Sequence, residues 1–304
     1  MAAALRSSPR RGPGDGPGSA RRAISRRAAP IPAETGAPPD VSVGASRRPS
    51  IPPPDGSRRQ LDLALTDLGE VLGVYPFRPG MPTCNHCVSD AELRTLALLP
   101  SRIPRPVLDR YVTKSLTTWG EAADLKRLLP EILTRLCDGR LAPPEALVGA
   151  RLRRAGWLDW PAAETPAVRR TLRAAWLSTL ATAPAEGRAP VTDRLGLITA
   201  AEDELGPYLE LWEDRLESPG NPNARLAAVL HLADLLSPLA LGGRRRLTRG
   251  FPLARRGVIG ELEHWLRQPV VIQRLAHAAD ALAGTPQGDA IGLARQGLAR
   301  LRTD

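Results

Sequence analysis

Apolar residues recur every three or four positions along most of the chain from Leu61 onward. This spacing places them on one face of an α-helix, whereas the strict alternation of a half-buried β-strand is almost absent. Proline, glycine and asparagine interrupt the pattern at short intervals. The pattern therefore predicts an all-α fold of about ten short amphipathic helices, packed either as a bundle or as stacked helical pairs.

Start signals mark three of these helices. Ser89 and Glu92 have the spacing of a capping box, in which each side chain bonds the backbone N–H of the other residue. Thr118 and Glu121 repeat this spacing and predict a second capped helix. Thr165 stands before a proline, which indicates an N-cap followed by the first helical position.

The helix after Glu121 should reach Leu136, and Pro130 should kink it or split it in two. The other helices are expected at 61–71, 89–99, 104–119, 144–154, 165–180, 192–204, 207–217, 223–240, 257–267, 269–283 and 288–302.

Residues 1–59 differ from the rest, because they consist mainly of Ala, Pro, Gly, Ser and Arg. Such a segment cannot bury enough apolar surface to offset the entropy lost on ordering. We therefore expect a disordered tail at 1–59 and a single all-α domain at 60–304. The tail is a solvated extension, an organellar transit peptide or a nucleic-acid contact, and its composition leaves the three open.

The net charge of +10 is distributed unevenly along the chain. Residues 1–59 contain eleven arginines against four carboxylates, which is a surplus of +7. The remaining residues carry only +3, so the predicted domain as a whole lacks the overall charge of a general nucleic-acid binder. No uninterrupted apolar run of about 18 residues is present, which predicts no membrane span.

Cys84 and Cys87 form a Cys-x-x-Cys pattern, whose thiols can hold one metal ion or close a small disulfide. The helix predicted from Ser89 follows directly, and its dipole should favour the thiolate of Cys87. A zinc site needs two further ligands, which Cys137 and a histidine such as His86 would have to supply. Metal binding, redox chemistry and a purely structural pair all remain open.

Six arginines are concentrated in a segment that the pattern predicts to be a loop between two helices. Guanidinium groups bind phosphate in a bidentate manner, so the segment is a candidate site for an anion or nucleic acid. A solvated loop in an arginine-rich chain is the alternative. The six residues are Arg244, Arg245, Arg246, Arg249, Arg255 and Arg256.

Trp157 and Trp160 lie in a predicted loop, where an exposed aromatic pair would mark a surface for a partner. The other four tryptophans fall mostly on apolar helix faces, where core packing is the expected role.

Four stretches resemble a family of helical bacterial proteins that is frequent in actinobacteria. They are CNHCVS at 84–89, LDRY at 108–111, KSLTTWG at 114–120 and LLP at 128–130. The resemblance covers most of residues 62–285. The family has no assigned function, so the resemblance implies a helical fold and carries no activity or site residues.

Catalytic motifs are missing from the chain: it has no Gly-x-Ser-x-Gly, no glycine-rich phosphate loop and no His-Glu-x-x-His. We therefore expect a cytoplasmic, non-enzymatic interaction or regulatory protein with a protein partner, whose cysteine pair responds to metal or redox state. The alternatives are a nucleic-acid-binding regulator that uses the tail and the arginines at 244–256, and an enzyme of unrecognised type.

Overall fold

The computed structural model describes residues 56–84, 86–185, 190–218 and 220–303. These residues form thirteen α-helices and three short 3₁₀ segments and contain no β-strand, which confirms the predicted all-α class. The 3₁₀ segments are Pro100–Arg102, Trp157–Asp159 and Ser237–Leu241. The helices are α1 (Gly56–Leu72), α2 (Asp90–Leu96), α3 (Arg105–Lys114), α4 (Ala122–Cys137), α5 (Glu145–Arg154), α6 (Glu164–Leu180), α7 (Val191–Ala201), α8 (Gly206–Glu217), α9 (Pro222–Leu236), α10 (Gly243–Gly250), α11 (Arg256–Leu266), α12 (Pro269–Ala281) and α13 (Pro286–Thr303).

The capping box predicted for α2 is present, with Ser89 as N-cap and Glu92 as its partner. The capping box predicted for α4 is wrong by three positions. Glu121 is the N-cap, and its backbone N–H donates to the carboxylate of Asp124 at 2.8 Å. Gly120 has a φ of +72°, a left-handed conformation that glycine adopts without strain. This turn immediately before Glu121 lets the helix begin after Glu121 rather than after Thr118.

Two further helix predictions need correction. Helix α6 begins at Glu164, so Thr165 lies inside its first turn and donates its hydroxyl to the carbonyls of Trp157 and Trp160. Helix α4 runs through Pro130 without the split that was one of the two predicted outcomes, and buried leucines and isoleucine on either side of the proline pack into the core.

Three helix pairs make the closest packing in the fold: α5 with α7, α1 with α6, and α13 with α9 and the 3₁₀ segment that follows it. Glycines permit two of these approaches. A Cβ on Gly149 of α5 would lie 2.2 Å from the carbonyl oxygen of Leu197, and one on Gly297 of α13 would lie 2.0 Å from that of Leu236. Larger residues at these positions would separate the helices.

One main hydrophobic cluster runs from Leu68 in α1 to Leu301 in α13. At its centre the rings of Trp176 and Trp212 meet edge to face at 5.2 Å, and Trp265 lies 5.1 Å from Trp212. These tryptophans are core residues, as their positions on apolar helix faces predict.

Lys126, one of two lysines in the chain, is buried between helices. Its ammonium group lies 2.6 Å from Glu164 and 3.0 Å from the hydroxyl of Tyr75, and it stands 4.5 Å from the ring centre of Trp160. The Tyr75 hydroxyl also donates to Glu164. This cluster fastens the segment after α1 to α4 and α6.

Residues 56–59, which the sequence pattern assigned to the tail, belong to α1. The prediction of disorder for the rest of the tail falls on residues 1–55, which lie outside the described residues.

One stretch of the described chain, Pro222–Leu241, is long and apolar enough to cross a membrane by length and composition. More than half of it is buried within the protein, which is typical of the core helix of a soluble protein.

Candidate functional site

The segment at 81–88, here called the cysteine loop, brings Cys84 and Cys87 together in a tight turn. The backbone N–H groups of Cys87 and Val88 both donate to the carbonyl of Cys84, at 2.8 and 3.1 Å. Both cysteines are free thiols and are partly exposed. A hydrogen bond from the Cys87 thiol lowers the pKa of Cys84. The two thiols are therefore neighbours, and both are partly exposed.

The cysteine loop is paired with residues 115–120, here called the Trp119 turn. The N–H of Cys84 donates to Thr118 at 2.9 Å, and the N–H of Gly120 donates to Pro82 at 2.7 Å. Thr83 and Trp119 form an antiparallel bridge between them. Two of the motifs that carry the family resemblance, at 84–89 and 114–120, are thus in contact in the fold.

The Trp119 turn contains a strained backbone position and lies over buried polar atoms that have no hydrogen-bond partner among the described residues. Leu116 has φ of +59°, a left-handed conformation that strains any residue with a Cβ. Three buried polar atoms in and beneath the turn have no hydrogen-bond partner among the described residues: the hydroxyls of Tyr111 and Thr118 and the indole nitrogen of Trp119. Such groups destabilise a folded segment by about 1–3 kcal/mol each.

Contacts from α3 and α5 oppose this cost. The ring of Trp119 packs edge to face on Tyr111, with centres 5.5 Å apart, and both rings are fully buried. The guanidinium group of Arg154 donates to the carbonyl of Leu116 at 2.6 Å. These contacts, together with hydrogen bonds inside the turn such as that from the Leu116 N–H to the carbonyl of Trp119, hold the strained conformation in place.

Hydrogen bonding makes the two thiols unequal. Hydrogen bonding from the Cys87 thiol and from the backbone N–H of His86 lowers the pKa of Cys84 from the usual value. The same thiol hydrogen bond raises the pKa of Cys87, and burial adds to the effect. These directions favour Cys84 as the thiolate, against the expectation that Cys87 carries it.

The four side chains proposed as zinc ligands do not come together. His86 is exposed, and its backbone N–H rather than its ring faces Cys84. Cys137 ends α4, where it packs near Leu61 and accepts a hydrogen bond from Arg194 at 3.6 Å. Within the part of the chain that the structure describes, no group of three or more Cys, His, Asp or Glu side chains is placed to hold a metal ion. Two thiols supply only half of a zinc site.

The arginine segment is not a loop. Residues 243–250 form α10, which presents Arg245, Arg246 and Arg249 on its exposed surface, and Arg244 forms an ion pair with Glu263 at 2.9 Å. Arg255 instead pairs with Asp203, away from the α10 group. The side chain of Arg256 is outside the described residues.

Trp157 and Trp160 are not an exposed pair. Trp157 is 0% exposed and donates its indole N–H to the carbonyl of Ala201, and Trp160 is 9% exposed and donates to Ala155. The proposed partner surface at these residues is therefore wrong, since both side chains fill the core. The apolar character of Leu158 beside them was the sequence signal for burial.

Sequence reasoning missed the basic residues around the cysteine loop. Arg110 donates to the carbonyl of Cys87 at 2.7 Å and pairs with Glu92 of the α2 capping box. Lys114, the second lysine of the chain, lies near enough to favour the charged form of both thiols. The sequence signal for this contact was that Lys114 belongs to the same motif as Thr117, Thr118 and Trp119.

The fold and the site together define an all-α protein with a paired, partly exposed dithiol. Comparison with known protein families, curated proteins and solved structures finds no match to the chain.

Proposed function

We propose that the chain is a cytoplasmic, non-enzymatic interaction or regulatory protein whose dithiol is a redox switch. The observation that carries the proposal is a pair of partly exposed neighbouring thiols in a loop whose backbone is hydrogen-bonded to the strained Trp119 turn. A change at the sulfurs therefore acts on the backbone hydrogen bonds that join the cysteine loop to this turn. The protein partner would bind this face with different affinity in the reduced and the oxidised state.

The switch uses a small-molecule disulfide such as oxidised glutathione. The Cys84 thiolate attacks one sulfur, the S–S bond of the small disulfide breaks, and one small thiolate leaves. Cys87 then loses its proton to water and attacks the sulfur of Cys84 in the mixed disulfide, which releases the second small thiolate. Two protein thiols are oxidised and one disulfide is reduced to two thiols.

Metal binding is the alternative role for the same pair. Cys84 and Cys87 would supply two thiolates, and the remaining ligands would come from a partner, a second copy or water. A purified reduced protein that holds one equivalent of zinc, and loses it in the Cys84→Ser variant, would favour this role over the redox switch.

An enzymatic role is less well supported. It requires a thiolate, a histidine and a carboxylate around one cavity. The two described cavities near α10 are lined by neither Cys84 nor Cys87, and His86 is turned toward solvent.

Redox titration tests the proposal. The full chain is equilibrated in glutathione buffers between about −320 and −180 mV, and thiols are counted by mass spectrometry after alkylation. We expect loss of two thiols per molecule within this range, with a disulfide bond between Cys84 and Cys87 and a shifted melting temperature. The Cys137→Ser variant is the matched control and should titrate like the parent. A pair that stays reduced throughout, or oxidises without any shift in melting, contradicts the proposal.

A further inference from the structure

Positive and negative residues are unevenly distributed along the predicted domain, although its net charge is small. Residues 237–304 contain eleven arginines and five carboxylates, whereas residues 60–236 contain twenty basic and twenty-three acidic residues. The C-terminal part is therefore basic by six charges and the preceding part acidic by three. Net charge over the whole domain conceals this difference.

The basic part contains a groove between α10, α11 and α13, here called the arginine groove. It consists of two cavities of about 420 and 630 Å³ that share Arg244 in their walls. Among the described residues, five arginines and a single carboxylate, Glu263, line the two cavities. The arginines are Arg244, Arg245, Arg267, Arg300 and Arg302.

Glu263 organises the groove without repelling an anion. It is buried, and its two oxygens bind Arg244 at 2.9 Å and Arg267 at 2.7 Å. Arg267 also donates to the carbonyl of Leu301 near the end of α13. Two guanidinium groups are thereby fixed in place, and the one negative charge is neutralised by both of them.

The other three arginines of the groove are exposed, and their guanidinium groups have no ion-pair or hydrogen-bond partner among the described residues. Arg245 comes from α10, while Arg300 and Arg302 come from the last turns of α13. Elsewhere in the fold, the guanidinium groups of arginines such as Arg110 and Arg154 donate hydrogen bonds to backbone carbonyls. Partnerless guanidinium groups from two helices that converge on one groove are placed to bind an external anion.

We propose that the arginine groove binds the sugar-phosphate backbone of duplex nucleic acid without sequence preference. Guanidinium forks match phosphate oxygens in a bidentate manner, and two connected cavities suit successive phosphates of a linear polyanion better than one small ion. Contacts of this kind position a protein on a duplex and carry no base information.

Other polyanions fit the groove less well. Single-strand binding requires exposed aromatic rings for stacking, but Phe251 and Trp265 beside the groove are buried. A planar anionic membrane cannot reach the floor of a concave groove, and Leu241 is the one strongly exposed aliphatic residue in its lining. An acidic protein would need several apolar anchor residues, and among the described lining residues Leu241 alone offers one.

The test uses the full chain and a fluorescently labelled 20-base-pair duplex, with anisotropy measured between 50 and 200 mM salt. The groove variant is Arg245→Gln with Arg300→Gln. The control is Arg94→Gln with Arg102→Gln, which removes the same charge from exposed arginines outside the groove. Melting curves verify that both variants fold.

We expect the groove variant to bind at least about tenfold more weakly at 50 mM salt and to lower the salt slope by about 2, while the control binds like the parent. A duplex of different sequence should bind equally well. The proposal is overturned if the parent does not bind at 50 mM salt, if both variants weaken equally, or if polyglutamate or phosphatidylglycerol vesicles bind more tightly than the duplex.

Discussion

The electrostatics of the paired thiols favour Cys84 over Cys87 as the nucleophile. Cys87 donates its S–H to Cys84, so Cys84 holds charge more easily and Cys87 less easily. The sequence shows both cysteines ahead of a helix, and the helix dipole favoured Cys87. The direction of an S–H bond within a turn depends on backbone geometry that residue spacing does not encode.

The inequality of the thiols predicts an order of alkylation. With limiting iodoacetamide at neutral pH, Cys84 should react first, because the thiolate is the reactive form. Cys137 should react last, since burial raises its pKa and shields it from the reagent. Peptide mass spectrometry after timed quenching measures the order. Faster modification of Cys87 than of Cys84 would show that the assignment is reversed.

A buried histidine predicts a dependence of stability on pH. Burial lowers the pKa of His231 in α9 below the ordinary 6.5, although its ring nitrogen Nε2 bonds the carbonyls of Thr179 and Thr182. Since the unfolded chain binds this proton more tightly, the contribution of His231 to stability is full above pH 6.5 and is lost as pH falls below it. Urea unfolding from pH 7.5 to 5 measures this loss.

The His231→Gln variant should lose part of this pH dependence, because it removes the group that protonates on unfolding. His277 is exposed on α12, so the His277→Gln variant is the matched control and should keep the dependence of the parent. Equal pH profiles for the two variants would exclude His231 as the source.

At the scale of elements, the sequence predicted most helices, since periodic apolar residues and caps such as Ser89 are local signals. Helix α10 was missed because its four arginines and its terminal glycines leave only Leu247 as an inward apolar side chain. The N-cap position of α4 was missed because it depends on the left-handed Gly120. The pairing of the cysteine loop with the Trp119 turn joins Thr83 to Trp119, which is far away in sequence, so spacing alone did not show it.

The close approach of α5 and α7 predicts a large effect of one methyl group. Gly149→Ala would place a Cβ 2.2 Å from the carbonyl oxygen of Leu197, so the helices must separate. We expect a loss of about 2–4 kcal/mol in the free energy of unfolding by urea titration. Gly69→Ala in α1 is the control, because its Cβ meets nothing within 4 Å; it should gain about 0.5–1 kcal/mol. Similar values for both variants would contradict the packing.

At the scale of the whole molecule, arginine has two structural uses. Many arginines hold the ends of helices through backbone carbonyls: Arg127 binds the end of α2, Arg135 binds Ile103, and Arg267 binds Leu301. Those of the arginine groove instead face outward without a partner, or are fixed by Glu263. The dithiol and the groove rest on separate residues, so a failure of one proposal leaves the other intact.

The central claim is that the state of the Cys84–Cys87 pair controls the Trp119 turn, and amide hydrogen exchange measures this most directly. Reduced and glutathione-oxidised protein are compared by mass spectrometry, with the Cys84→Ser/Cys87→Ser double variant as control. We predict that oxidation changes exchange in peptides covering 83–88 and 115–120 in the parent and leaves the double variant unchanged. Formation of the disulfide with identical exchange at 115–120 would contradict the account.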